Sequence, residues 1–269
     1  MYLELSAAVY MLLKWSKNLD GSPRAKARLV VRGYNDEDAL QGNLDTASPT
    51  ATRLARSLLM SYSATKRWRG WSADVATAFL QGLPRERLLW LRLPRKCLEI
   101  LGATADTRML LKKPVYGQLD APRRWYLEAS RRLKSLGWTQ HILDPCLFLL
   151  HHADPQEAAE PRLCGFIALH VDDMLGCGDQ NDPFYVSAEK ALKGKFDFRT
   201  WETDEKTMEY CGVNHIREEF TWRLSQEEYL RKCKPRGRQP EDEMTDQDRS
   251  QLRAGASSPG CRRPTSFVQ

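Results

Sequence analysis

Cys164-Gly165-Phe166-Ile167-Ala168-Leu169-His170-Val171-Asp172-Asp173-Met174 is the stretch on which the fold turns: an apolar run of strand length that ends in two adjacent carboxylates. Ionised neighbours repel, so such a pair behind a buried strand needs relief, from a cation or from a turn open to water. For an Asp-Asp pair alone, the solvated turn is the commoner outcome. Asp74 shifts the balance. It lies far earlier in the chain, in Trp71-Ser72-Ala73-Asp74-Val75-Ala76-Thr77-Ala78-Phe79-Leu80, which is also strand-like at its start. Three aspartates on two neighbouring strands could hold two Mg²⁺ ions, the arrangement that clamps attacking and leaving oxygens in phosphoryl transfer.

A 269-residue chain with 42% hydrophobic residues can fill one large core or two modest ones, which places it among globular proteins. Its net charge of +6, with clusters at Lys112-Lys113, Arg123-Arg124 and Arg131-Arg132-Lys134, suits a phosphate-rich partner without proving one. The seven cysteines form no C-x-x-C pair and no Cys/His group at zinc spacing, so they read as reduced thiols of an intracellular protein. His151-His152, followed by Ala153-Asp154-Pro155, reads as a solvated connection between strands rather than a metal site. No apolar run approaches the roughly 20 residues of a membrane span. The start, Met1 to Trp15, lacks the basic region of a leader and reads as a short amphipathic helix or a strand.

The Asp20-Gly21 pair between Leu12–Trp15 and Ala27–Val31 predicts a hairpin. Arg53–Ala64 carries Leu54, Leu58, Leu59 and Tyr62 at helical spacing, and Ala121–Leu136 carries Trp125, Ala129, Leu133 and Leu136 on one face. A further helix is expected over Pro183–Phe196, with Tyr185, Ala188, Ala191 and Leu192 inward. Strands are expected over 88–93, 146–150, 165–171, 208–217 and 221–224, and a short helix over 226–233. From Lys234 onward Pro, Gly, Ser and charge dominate, which predicts a disordered tail. The sum is an α+β chain, an antiparallel sheet backed by the 121–136 and 183–196 helices.

Several segments also run in a recognisable order. Lys26-Ala27-Arg28-Leu29-Val30-Val31-Arg32-Gly33-Tyr34 and Ser48-Pro49-Thr50 are followed by Asp74-Val75-Ala76-Thr77-Ala78-Phe79-Leu80-Gln81-Gly82. Then come Tyr116-Gly117-Gln118-Leu119-Asp120-Ala121-Pro122-Arg123-Arg124-Trp125-Tyr126, His170-Val171-Asp172-Asp173, Glu209-Tyr210-Cys211-Gly212-Val213 and Leu224-Ser225-Gln226-Glu227-Glu228-Tyr229. In that order they resemble the reverse transcriptase domain of copia-type long-terminal-repeat retrotransposons, across roughly residues 14 to 233. The chain departs from the pattern at His170, where the family has Tyr, and at Gln118-Leu119-Asp120, which lacks the family's Lys and puts Asp where Gln is usual. An extra carboxylate at Asp120 would repel a triphosphate if it faced one.

The resemblance implies a polymerase palm with a fingers subdomain and an incomplete thumb: 1–70 as the first part of the fingers, 71–87 as the palm motif with the first aspartate, 88–115 as the fingers' return, 116–233 as palm and 234–269 as a disordered or degenerate tail. It implies an RNA-directed DNA polymerase, with Asp74, Asp172 and Asp173 as catalytic residues that, with the main-chain carbonyl of Val75, hold two Mg²⁺ ions, for which Mn²⁺ can substitute. Lys26 and Arg28 would hold the triphosphate, Phe79 would stack beneath the sugar, and Gly117 and Pro122 would shape the turn under nucleotide and template. Read without the resemblance, Phe79 and Trp125 are core and Lys26 and Arg28 a solvated strand face. The implied partners are a primed RNA or DNA template and deoxynucleoside triphosphates, with no membrane and an open oligomeric state. The implied location is intracellular, cytoplasmic in a virus-like particle or nuclear. Two alternatives stay open: an inactive, truncated or frameshifted remnant, and a module that only binds nucleic acid.

Overall fold

The computed structural model describes residues 3–10, 16–17, 23–24, 28–84, 87–152, 161–205, 207–219 and 221–232. In chain order the elements are β1 (Leu3–Tyr10), β2 (Ser16–Lys17), β3 (Pro23–Arg24), β4 (Arg28–Val31), α1 (Glu37–Leu40), α2 (Arg53–Lys66), β5 (Arg69–Val75), β6 (Leu89–Arg92), α3 (Arg95–Ile100) and β7 (Arg108–Leu110). There follow α4 (Ala121–Ser135), β8 (Thr139–Gln140), β9 (Leu147–His152), β10 (Arg162–His170), β11 (Asp173–Gly178), α5 (Pro183–Lys195), β12 (Phe198–Thr203), β13 (Met208–Tyr210), β14 (Val213–Glu218), β15 (Thr221–Ser225) and α6 (Glu227–Lys232). Short 3-10 turns span Gly33–Asn35 and Ala78–Gln81.

The sheet that positions the site has the order β12-β5-β11-β10-β9-β8, and every neighbouring pair in it is antiparallel. Strand alternation sorts its side chains into two cores. Trp71, Ala73 and Val75 of β5 face α4 and α5, where they meet Trp125, Ala129 and Leu133 and then Tyr185, Ala188 and Leu192. On the opposite face Ala168, Leu175 and Cys177 meet Leu59 and Met60 of α2 and Met208 and Tyr210 of the small sheet β13-β14-β15. Two glycines let aromatic rings lie flat on β11: a Cβ at Gly176 would come within 2.2 Å of Trp71, and one at Gly178 within 2.0 Å of Tyr185. The two rings are joined, the Trp71 indole N–H donating to the Tyr185 hydroxyl at 3.0 Å.

A second sheet, β4-β1-β6-β7, joins residues 3–10 and 28–31 to the 89–110 region, with β1 and β6 parallel and its other pairs antiparallel. The start of the chain is therefore strand, not helix. β2 and β3 pair as a short hairpin, but not by the expected arms: β4 pairs with β1 instead, and Leu12 to Trp15, Asp20 and Gly21 lie outside the described residues, as do Cys233 and the tail from Lys234.

Several expectations change. α2 turns Ala55, Leu59, Met60 and Ser63 inward and leaves Leu54 and Leu58 exposed at 67% and 56%. Small residues at 55 and 63 let the helix approach the sheet, whereas Leu54 and Leu58 lie one turn apart on the solvent side. Ala191 of α5 is likewise exposed. His151 and His152 end β9 instead of lying in a loop, and His152 Nδ1 sits 3.1 Å from an Asp182 oxygen. β12 was not expected, and it forms the edge strand beside β5.

The arginine clusters are neutralised largely from within. Arg123 pairs with Asp45, Arg124 with Asp120, and Arg131 and Arg132 both with Glu128. Five cysteines among the described residues are free, and burial pushes the Cys146 and Cys164 thiols up to about 12, so both are inert core groups. No helix among the described residues is long and apolar enough to cross a membrane.

Candidate active site

β10 and β11 form a hairpin in which His170 pairs with Asp173, leaving Val171 and Asp172 as its turn. Val171 takes φ +56°, a left-handed value that is costly for a β-branched residue and persists only where the surroundings impose it. Two bonds do so. The Trp125 indole N–H, from α4, donates to the Val171 carbonyl at 2.6 Å, and the Val75 N–H, from β5, donates to the Asp172 carbonyl at 2.8 Å. The turn is thus held from the helix layer and from the neighbouring strand.

β5 runs antiparallel to β11 with Asp74 directly opposite Asp173. Opposed residues share a sheet face, so both carboxylates lie on the side away from α4 and α5. Burial, then the charges of Asp172 and Asp74, push the Asp173 carboxyl up to about 6, opposed by a hydrogen bond from the main chain at Cys211. Burial also lowers the His170 pKa, which keeps that ring neutral beside the pair. An oxygen of Asp74, Oδ2, accepts from Nη1 of Arg199 at 3.0 Å.

The donor set suits a hard divalent cation: carboxylate oxygens that crowd one another's negative charge and hold Asp173 above its ordinary range. The side chains do not yet converge, however, and no group of three or more His, Cys, Asp or Glu among the described residues is arranged to hold a metal ion. Asp74 is turned to Arg199, and Asp173 is tied to the main chain at Cys211.

The remaining candidates lie in a second cluster. Phe79, half-buried in the 3-10 turn after β5, has its ring 5.1 Å from that of Tyr116. Tyr116 and Gly117 receive the end of β4: the Val31 N–H donates to the Tyr116 carbonyl at 2.8 Å, and the Gly33 N–H to the Gly117 carbonyl at 3.2 Å. Gly117 is required there, since it takes φ +89° and a Cβ would meet the Val31 carbonyl oxygen at 2.0 Å. Pro122 opens α4, the helix whose Trp125 holds Val171. Val75 is fully buried. Arg28 lies on β4, which leads into the Gly33 contact, and Lys26 lies outside the described residues. Asp120 does not face solvent: it is 2% exposed and accepts from Nε of Arg124 at 2.8 Å, so its charge is spent inside the protein.

Reading the sequence missed two residues. Trp125 is core, as expected, but it also fixes the aspartate turn, a second role that no periodicity signals. Arg199 sits on the unexpected β12, and a lone arginine after Asp197-Phe198 gives no warning that it will meet a residue 125 positions earlier.

Comparison with known proteins agrees with the motif order. The model of the family described as reverse transcriptase (RNA-dependent DNA polymerase) matches residues 9–240. The retrovirus-related Pol polyprotein from transposon RE2 of Arabidopsis thaliana is 31% identical over 163 residues, 60% of this chain and 10% of the relative. That from transposon RE1 of the same plant is 28% identical over 220 residues, 79% of this chain and 14% of the relative. The polyprotein from transposon TNT 1-94 of Nicotiana tabacum is 26% identical over 209 residues, 77% of this chain and 15% of the relative. The chain thus matches only 10% to 15% of the length of these relatives.

Proposed function

The chain belongs to the reverse transcriptase (RNA-dependent DNA polymerase) family, and on that premise we propose that it is the polymerase domain of a retrotransposon that extends a primer on an RNA or DNA template from deoxynucleoside triphosphates. The observation that carries the reading is the register that sets Asp74 opposite Asp173 while Val75 holds the Asp172 carbonyl. The distant Asp74 is thereby brought to the end of the sheet that carries the adjacent Asp172 and Asp173.

In this reading the six-stranded sheet with α4 and α5 is the palm, and the β4-β1-β6-β7 sheet, which draws on 3–10, 28–31 and 89–110, belongs to the fingers. Asp74, Asp172 and Asp173, with the Val75 carbonyl, hold two Mg²⁺ ions, or Mn²⁺ in their place. When bound, these ions would lower the pKa of the primer 3′-hydroxyl and neutralise the triphosphate and departing pyrophosphate. The primer oxygen forms its bond to the α-phosphorus as the bond to pyrophosphate breaks. The protein's own part is positioning. Trp125 and Val75 fix the turn that aims Asp172, the Phe79 and Tyr116 rings form a floor for the sugar, and Gly117 lets the end of β4 pack against the backbone beside that floor. Lys26 and Arg28, the latter at the start of β4, would bind the triphosphate as cations. Inward-facing Asp120 leaves this surface free of an extra negative charge.

The test is Mg²⁺-dependent incorporation of deoxynucleotides on a primed RNA template, with Asp172→Asn as the paired control. Incorporation lost in the variant supports the three-aspartate site. A folded wild type that binds primed template but adds no nucleotide sinks the polymerase reading in favour of a binding module or a remnant.

A further inference from the structure

We propose that Arg199 is a resident counter-cation of the carboxylate site: in the absence of a divalent ion its guanidinium occupies Asp74, and metal binding displaces it. This rests on the reading that Asp74, Asp172 and Asp173 hold divalent cations. β12 pairs antiparallel with β5, Phe198 opposite Val75 and Thr200 opposite Asp74, so the register slips by one and Arg199 is the extra residue. A bulged residue escapes strand alternation and has its side chain re-aimed. Here the re-aimed side chain delivers Nη1 to Asp74 Oδ2 at 3.0 Å.

The backbone around the bulge is fixed. The Ala76 N–H donates to the Asp197 carbonyl at 2.7 Å, and Thr200 is in register with Asp74. Exchange of guanidinium for metal therefore needs a side-chain rotation and leaves the strand in place. Both partners are open enough to separate, with side-chain exposures of 28% for Asp74 and 45% for Arg199. Such pairs are weak, equivalent to a roughly twofold to fivefold change in an equilibrium constant. A single positive charge offsets only part of three neighbouring carboxylates, and a divalent ion offsets more, so the Coulomb balance favours exchange once metal is available. The consequence is a site that avoids gathering three bare carboxylates when empty, at the expense of some metal affinity.

The experiment is titration of the full chain with Mn²⁺, free ion being counted by electron paramagnetic resonance, for wild type, Arg199→Gln, Arg199→Lys, Asp74→Asn and the Asp74→Asn/Arg199→Gln double variant. Arg199→Gln is expected to bind Mn²⁺ roughly twofold to fivefold more tightly, Arg199→Lys less so, and the gain is expected to vanish in the Asp74→Asn background. A gain that persists without Asp74 overturns the proposal, since it would report only the loss of a nearby positive charge. Equal affinity of wild type and Arg199→Gln, with Asp74→Asn weakened, overturns it too while leaving the metal site standing. Absence of Mn²⁺ binding in every folded variant overturns both.

Discussion

Trp125→Phe tests whether the strained aspartate turn is held from the helix layer. The substitution keeps an aromatic ring where Trp125 now packs edge-on to Phe196, at 6.2 Å between centroids, and deletes the N–H that reaches the Val171 carbonyl at 2.6 Å. An unpaired carbonyl in this part-buried turn costs about 1–3 kcal/mol, the lower figure where water reaches it. Loss of the second indole ring from a residue 1% exposed adds roughly 1–2 kcal/mol of burial and cavity cost. The expected total is about 2–5 kcal/mol, read by urea denaturation. The functional loss should be separate and larger than unfolding explains. Val171 at φ +56° has no intrinsic reason to stay there, and a shift of about 1 Å in a reacting geometry costs on the order of 100-fold in rate. The assay is single-turnover primer extension at saturating Mg²⁺ and nucleotide, normalised to folded protein. A variant that loses stability in this range yet extends at the wild-type rate refutes the reasoning, because the turn would then be held by β5 alone.

His215 is fully buried, its pKa lowered by burial to about 4, and Nδ1 donates to the Val213 carbonyl at 3.0 Å. The unfolded chain takes up this proton first, so stability present above about pH 6.5 is lost as pH falls toward 4, by about 2 kcal/mol at pH 5. Asp173, raised to about 6, acts in the opposite sense, since its folded form takes up the proton first. The expected signature is accordingly a difference between wild type and His215→Gln that narrows on acidification, and a constant difference from pH 8 to 5 would refute it. Gly178→Ala drives a Cβ to 2.0 Å from the Tyr185 ring and should cost about 1–3 kcal/mol or more in urea denaturation; a neutral outcome would mean that the Tyr185 layer shifts freely. Gly117→Ala meets both a positive φ and the Val31 carbonyl, so it should undock the end of β4 and raise the KM for nucleotide several-fold. An unchanged KM would separate that contact from nucleotide binding. Asp120→Asn should leave the KM for nucleotide unchanged within about twofold, because its charge already faces Arg124. A clear fall in KM would show that Asp120 repels the triphosphate after all.

Period alone carried much of the architecture. Trp125, Ala129 and Leu133 stand four apart with Arg123 and Arg131 two residues from them, a pattern that fits one face of a helix and not of a strand, and all three are buried. The apolar run ending at Asp172-Asp173 had to be a strand closing in a turn, and the copia-type motif order named the family from residues that lie far apart. Period failed where composition misled it. In α2 the large apolar residues Leu54 and Leu58 are on the outside, because Ala55 and Ser63 permit the closer approach to the sheet. Tertiary structure alone decided the rest. Register set Asp74 against Asp173, a bulge in an unforeseen edge strand brought Arg199 to Asp74, and an i,i+4 pair turned Asp120 inward. The physical reason is that side-chain periodicity is local and survives in the sequence. Register, bulges and ion pairs are settled between segments, by which hydrogen bonds and charges meet once the chain has closed, and no spacing along the chain records them.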